Sequence, residues 1–380
     1  ILIVEDEAKI ARFVTLELEH EGYEVVLGRL KKAAKSGGVI KVKGAVRYDT
    51  YSNDYSLMPD SLMLVEQEAR QDKVEEKRVE LHCHTNMSSM DAVSSAKALI
   101  KTAAKWGWPA IAITDHGCVQ AFPDAMSAAK DAGIKVIYGV EGYLVGEDYK
   151  QKRAHHIIIL AKNPIGLRNL YKLVSMSNLR FFFKRPRLPK QLIQEYREGL
   201  IIGSACEAGE LYRALLRGAP QAEIADIVNF YDYLEIQPNG NNAFMIDSDK
   251  SDHENIHSME DIQEINKKIC DLGEEFHKPV CATCDVHFLD PEDEVYRRII
   301  MAGNGFKDAD SQAPLYLRTT EEMLAEFEYL GSDKAREVVI DNTNLIADMV
   351  DSIDPVRPDK CPPVIENSDQ TLTDICYRRA

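Results

Sequence analysis

The feature that most constrains the fold of this chain is a series of metal-ligating side chains strung along it: His82-x-His84, Asp91, the pair Asp115-His116, Glu141, His156, Cys206 and Asp285-x-His287. Five of the ten histidines fall in this series, each beside a short apolar run that reads as a strand. Neutral imidazoles, carboxylates and a thiolate are the donors that a cluster of borderline divalent ions requires. The strand ends of an α/β barrel are where such side chains gather. Two residues apart on a strand face the same way, so the His82-x-His84 spacing lets two imidazoles converge on one ion.

From Arg78 onward the pattern alternates between strand and helix. Ala110–Ile113, 135–138, 157–160, 199–203, 233–237 and 279–283 read as short apolar strands, with Ala-rich helical stretches over 94–105 and 121–132. Such alternation over some two hundred residues predicts a parallel barrel with its site at the carboxyl ends of the strands. Four further segments surround it. Residues 1–29 read as a strand, a helix closed by Gly22 and a second strand, and resemble the opening βαβ of a response-regulator receiver. The sequence after Gly28 supplies no phosphoacceptor strand, so a terminal fragment is expected rather than a working receiver. Residues 30–64 carry alternating runs that predict a β-hairpin, 65–77 a charged, solvated linker, and 301–380 a helical extension. In that extension Met323, Leu324, Phe327 and Leu330 share one face.

Composition narrows the class. The chain has 380 residues, 45% apolar, with a net charge of −16, so any nucleic acid must meet a local positive patch. No run is long and apolar enough to span a bilayer and no signal peptide opens the sequence, so a cytoplasmic protein with reduced thiols and no membrane partner is expected.

The motifs His82-Cys83-His84-Thr85, Thr114-Asp115-His116-Gly117, Gly139-Val140-Glu141, 156–163, Gly203-Ser204-Ala205-Cys206 and Asp285-Val286-His287 together resemble the PHP (polymerase and histidinol phosphatase) domain. More closely, 78 to about 348 is similar to the PHP region of the PolC-type alpha subunit of bacterial DNA polymerase III, and 39–64 to the tail of its preceding OB domain. The resemblance implies an α/β fold, a distorted (βα)7 barrel over 78–300, holding two to three divalent ions. Zinc, manganese and iron suit these donors alike. It implies His82, His84, Glu141 and Asp285 around one ion, Glu141 as a bridge, His116 and Cys206 at a second, and Asp91, His156 and His287 completing the set. Asp285, His287 and Glu141 are the implied catalytic residues.

The implied chemistry is phosphoester hydrolysis at the 3′ end of a DNA strand, with the rest of the polymerase and the replisome as partners. Two other readings stay open: a scaffold in which metal supplies only stability, and a free-standing phosphatase for a small ester. Two departures from the family are evident. The relatives carry a DnaQ-like exonuclease inserted after the Glu141 strand, for which 143–155 leaves no room. The palm aspartates are also not reached by Ala380, so this chain is not expected to polymerise DNA as it stands.

Several other features are expected to be structural. Phe181-Phe182-Phe183-Lys184-Arg185-Pro186-Arg187 alternates aromatic and basic residues as a single-strand-binding surface does, yet a loop that packs its aromatics on the barrel and solvates its charges is the expected reading. Cys281 and Cys284 form a lone C-x-x-C and, like Cys83, are expected to pack. His155 yields the ligand role to His156, and His20, His253, His257 and His277 are expected at the surface.

Overall fold

The computed structural model describes residues 39–49, 54–65, 70–88, 91–246, 248, 253, 255–306 and 309–379, in two compact units, 1–71 and 72–380. The receiver-like fragment expected over 1–29 lies outside the described residues. In the first unit β1 (Val39–Asp49) pairs antiparallel with β2 (Asp54–Val65), with a register shift at Lys43/Gly44. This is the expected hairpin, its second strand longer than the 56–58 run alone indicates.

The second unit is built on a closed ring of extended segments. Residues 80–83 bridge in parallel to β3 (Ala110–Ile113), which pairs with β4 (Lys135–Val145). β4 pairs with β5 (His155–Ala161), and β5 with β8 (Leu200–Gly203). Gly203 then bridges to Tyr233, leading into β9 (Leu234–Ile236), and β9 pairs with β10 (Val280–Ala282). Val286, just after β10, bridges back to Cys83 and closes the ring. A side hairpin, β6 (Phe182–Phe183) with β7 (Arg185–Pro189), joins through β7 to the end of β4. The α/β barrel expected from the alternation is thus present.

One expectation is corrected: the barrel is not all parallel. β5 runs antiparallel to both β4 and β8. A parallel return needs a crossover of a dozen or more residues, whereas Val145 and His155 are joined directly by a short loop without a helix. The start of β5 therefore lies at the same rim as the ends of its neighbours.

Helices cover the outside. α1 (Ala96–Lys105) is capped by the Ser95 side chain and buries Leu99, Ile100 and Ala103. α2 (Phe122–Ala132) stops at Gly133, which takes the left-handed conformation. α3 (Pro164–Leu179) starts at an Asn163 cap, and α4 (Met259–Glu275) at a Ser258/Asp261 capping box. Ile111, Ile113, Ile157, Ile159 and Ile202 pack outward against these helices, while Ala110, Ala112, Ile158, Leu160, Ile201 and Tyr233 fill the lumen. That two-sided burial explains why the strands read as continuous apolar runs.

The linker departs from expectation, whereas the extension is helical and packed on the barrel as expected, though broken into pieces. Residues 65–77 are not solvated throughout, because the buried Asp72 accepts hydrogen bonds from Trp108 Nε1 (2.7 Å), Thr320 N (2.9 Å) and Thr320 Oγ1 (2.7 Å). The extension has short helices at Thr320–Glu326, Ser332–Arg336 and Asn342–Asp348, followed by an exposed helix at Ser368–Arg379. Met323 and Phe327 of the expected face are fully buried. Ile346, Ala347 and Val350 join the lumen core, and Lys135, at the start of β4, donates to Ala347 O at 2.7 Å. The extension thus closes the amino-terminal end of the barrel. Among the described residues no helix is long and apolar enough to cross a membrane.

Candidate metal centre

At the opposite end the structure brings together all nine side chains expected as ligands. Glu141 is the hub. Its Oε1 lies 2.7 Å from His156 Nδ1, 3.4 Å from His82 Nε2 and 3.6 Å from Cys206 Sγ, and its Oε2 lies 2.6 Å from His116 Nδ1 and 3.3 Å from His84 Nε2. Asp285 Oδ1 stands 3.2 Å from His82 Nε2 and 3.3 Å from His84 Nε2. Asp91 Oδ2 is 3.2 Å from His116 Nε2 and 3.4 Å from His287 Nε2. The reversed direction of β5 accounts for His156, which stands at the start of its strand and so reaches the same rim. Asp285 and Ala205 both hold positive φ, 55° and 60°, so the turns after β10 and β8 aim Asp285 and Cys206 inward in a conformation that costs non-glycine residues free energy.

The donor set fits metal ions on its own geometry. His84/His116/His287, His82/His84/Glu141 and His116/Glu141/His156 each present ligand atoms within 4.8 Å of one another. Glu141 Oε2, Asp285 Oδ1 and His116 Nδ1 are buried without a well-aligned hydrogen bond and face only other donors of the set, an arrangement that a coordinated cation makes favourable. The Nε2 atoms of His82 and His84 face each other at 3.1 Å, an approach that a shared cation makes favourable.

Charge follows the same logic. Burial pushes Glu141 up, but His156, His116 and His82 hold it well below the usual carboxylate range. Burial likewise opposes ionisation of Asp91 and Asp285, and the His287 and His82 rings respectively lead the neighbours that outweigh it. His82 is pulled down by burial and raised well above its ordinary value by Asp285, Glu235 and Glu141. The carboxylates therefore concentrate a demand for positive charge at this rim. Burial raises the Cys206 thiol far above its ordinary value, so only a cation in contact makes it a thiolate.

A surrounding shell of partners, absent from the sequence-based expectation, orients the donors. Glu235 Oε1 lies 2.7 Å from His82 Nδ1 and also accepts from Thr283 Oγ1 (2.7 Å) and Gln237 Nε2 (3.0 Å). With Nδ1 donating, the His82 Nε2 lone pair faces the centre. His287 Nδ1 donates to the carbonyl of Asp285 at 2.9 Å, which fixes that ring in the same way. Ser88 Oγ is 3.0 Å from His84 Nδ1, and Arg297 grips Asp91 Oδ1 at 2.6 Å. The sequence offered one weak signal for Glu235, a carboxylate inside an apolar strand run.

Other expectations sort cleanly. Asp115 is not at the centre, since its carboxylate accepts from Thr85 N (2.6 Å) and Thr85 Oγ1 (2.9 Å) and so anchors the turn after His84. Cys83 and Cys284 belong to the outer core and Cys281 to the lumen, consistent with packing roles. His253 is corrected: it is buried, 3.3 Å from Arg213 and beside Phe244, a pairing that its polar sequence surroundings conceal. His257 and His277 are exposed as expected, whereas His20 lies outside the described residues.

Residues 80–239 match the PHP domain family. DNA polymerase III PolC-type of Clostridium perfringens is 36% identical, over 95% of this chain and 38% of its own length. The corresponding protein of Caldanaerobacter subterraneus is 34% identical over 96% of this chain and 40% of its own length, and that of Bacillus subtilis 27% over 92% and 38%. The chain thus spans about two fifths of the length of these relatives. The alignment with the clostridial protein runs over 561 residues, longer than the whole chain, so that relative carries inserted residues with no counterpart here. Among solved structures, an amidohydrolase from Chromobacterium violaceum superposes with a TM-score of 0.35 at 15% identity, covering 55% of this chain and 87% of its own. A two-domain protein from Bacteroides vulgatus with a predicted PHP-like metal-dependent phosphoesterase part gives 0.34 at 13%, covering 59% and 57%. Neither likeness bears on the site at those scores. The nine-donor rim, the family match and the near-complete coverage by curated relatives agree, and this chain is a PHP-domain relative of PolC-type DNA polymerase III.

Proposed function

We propose that this chain is the PHP-bearing part of a replicative DNA polymerase and that its barrel is a metal-dependent phosphodiesterase that removes nucleotides from the 3′ end of DNA. His82, His84, Asp91, His116, Glu141, His156, Cys206, Asp285 and His287 would hold two to three divalent ions of zinc, manganese or iron, with Glu141 between ions. Bound ions of this kind lower the pKa of water and offset charge on a phosphoryl oxygen. The protein's part is orientation: Glu235 and the Asp285 carbonyl set two imidazoles, Arg297 fixes Asp91, and the buried floor of His82, His84 and Glu141 excludes bulk water.

The observation that carries the reading is the convergence of nine donors, among them three buried ligand atoms that face only one another and the other donors. The centre also opens outward, because the Asp91 and His156 side chains are 30% and 18% exposed, which suits a substrate better than a sealed structural site does. Single-stranded DNA labelled at its 5′ end, incubated with manganese and then zinc, should give a ladder shortened from the 3′ end. Asp285→Asn should abolish it. Intact DNA alongside tightly bound metal would select the scaffold reading, and release of phosphate from small monoesters alone would select the phosphatase.

A further inference from the structure

The chain has 62 acidic residues among 380, yet from Tyr149 to Gln194 there is no Asp or Glu, while eleven Lys and Arg fall in that stretch. In a protein of net charge −16 this is a local reversal of sign. The fold places two of its segments together. Arg187, buried, donates to the carbonyls of Phe183 (3.1 Å), Tyr149 (3.0 Å) and Gln151, and the Tyr149 and Phe181 rings meet edge to face at 5.6 Å. The β6–β7 hairpin is thereby pinned to the loop that carries Lys150 and Lys152.

The hairpin also touches the metal rim. Arg185 lies over the Tyr143 ring at 5.1 Å, and Tyr143 stacks on His116 at 6.0 Å and meets His156 edge-on at 5.5 Å. Pro186 packs so close to Gly117, the residue after His116, that a Cβ there would come within 2.6 Å of it, and Gly117 itself holds φ +61°. What this pinned hairpin shows to solvent is not its packing residues. Phe182 is 55% exposed, and Lys184 and Arg185 are exposed beside it. A bare aromatic ring flanked by cations, one ring removed from donors for divalent ions, is the combination that binds a single strand through its bases and its phosphates together.

We propose that the β6–β7 hairpin is the strand-binding platform of the metal centre: Phe182 stacks a base, and Arg185, with Lys184, Lys150 and Lys152, holds the phosphates that lead to the bond presented at the rim. The inference rests on the DNA reading above and names the residues that would confer it. Arg187 and Phe181 serve the platform by positioning it and do not contact the strand.

The test uses the protein as purified and a 5′-fluorescein oligothymidylate whose 3′ linkages are phosphorothioates that resist cleavage. Fluorescence anisotropy should show binding that weakens about tenfold or more in the double variant Phe182→Ala/Arg185→Ala, with a shallower salt dependence. Lys101→Ala/Lys105→Ala on α1 should change it less than about twofold. Because Phe182 and Arg185 are exposed, the hairpin variant should keep the far-UV spectrum and metal content of the parent. Equal binding by the parent and the hairpin variant, equal losses in both variants, or no binding by the parent would overturn the proposal. Cleavage of unmodified DNA, followed in parallel, separates the two readings. A parent that cuts while the hairpin variant binds normally defeats the platform alone. Hairpin-dependent binding without cutting defeats the nuclease alone.

Discussion

Glu141 shows how much of a site one side chain can organise. It lies within 3.6 Å of His82, His84, His116, His156 and Cys206, donors contributed by segments that the sequence scatters over more than a hundred residues. Most of the donors were legible because each is a ligand type at the edge of an apolar strand run, whereas Asp91, in a turn, was placed by the family resemblance. Their supports were not legible, since a hydrogen bond between His82 and Glu235 spans 153 residues and leaves no local trace. The support should still matter. Glu235→Gln replaces a charged acceptor of the His82 ring, and we expect metal affinity to fall about 10- to 100-fold with the fold retained, measured by competition with a chelating dye. An unchanged affinity would show that the ring needs no such orientation.

At the scale of elements the latch formed by residue 72 is the informative departure. A charged stretch reads as solvated, and only the folded unit reveals that Asp72 ties the approach to the barrel to Trp108 and to Thr320, 248 residues away. Asp72→Ala should cost about 2–4 kcal/mol, because it leaves an indole N–H and two Thr320 donors without their ionised acceptor, and urea unfolding monitored by tryptophan fluorescence would measure it. Burial raises the Asp72 carboxyl, but the hydrogen bonds from Trp108 and Thr320 and the Lys77 charge hold it below its ordinary value of 3.8. A carboxyl depressed on folding stabilises fully above its unfolded pKa and loses that contribution as pH falls through the folded one. The difference in stability between the parent and Asp72→Asn should therefore be largest at neutral pH and shrink below about pH 4. The short apolar strands and the helices α1 and α2 were readable from the sequence pattern, whereas α3 and α4 were not read, although Asn163 and Ser258 cap their starts. The direction of β5 was not read, although the short interval between Val145 and His155 held the signal.

For the molecule as a whole, one end of the barrel carries the donors and the other is closed by 342–350, so metal and fold should be thermodynamically linked. Stripping bound ions with a chelator should lower the melting midpoint of the unit by about 5–10 °C, and scanning calorimetry before and after readdition of manganese or zinc would test it. A midpoint indifferent to chelation would mean that the ligand cage is held by protein packing alone. The reversed strand has a wider consequence. With β4 ending and β5 starting at the donor rim, the intervening loop never crosses the wall of the barrel, so it behaves like a doorway on the outside of the building. Chain can be added to or removed from that doorway without rethreading a single stave, and loop entropy grows only slowly with added length. Anything lodged there stands on the threshold of the centre, within reach of whatever the centre receives.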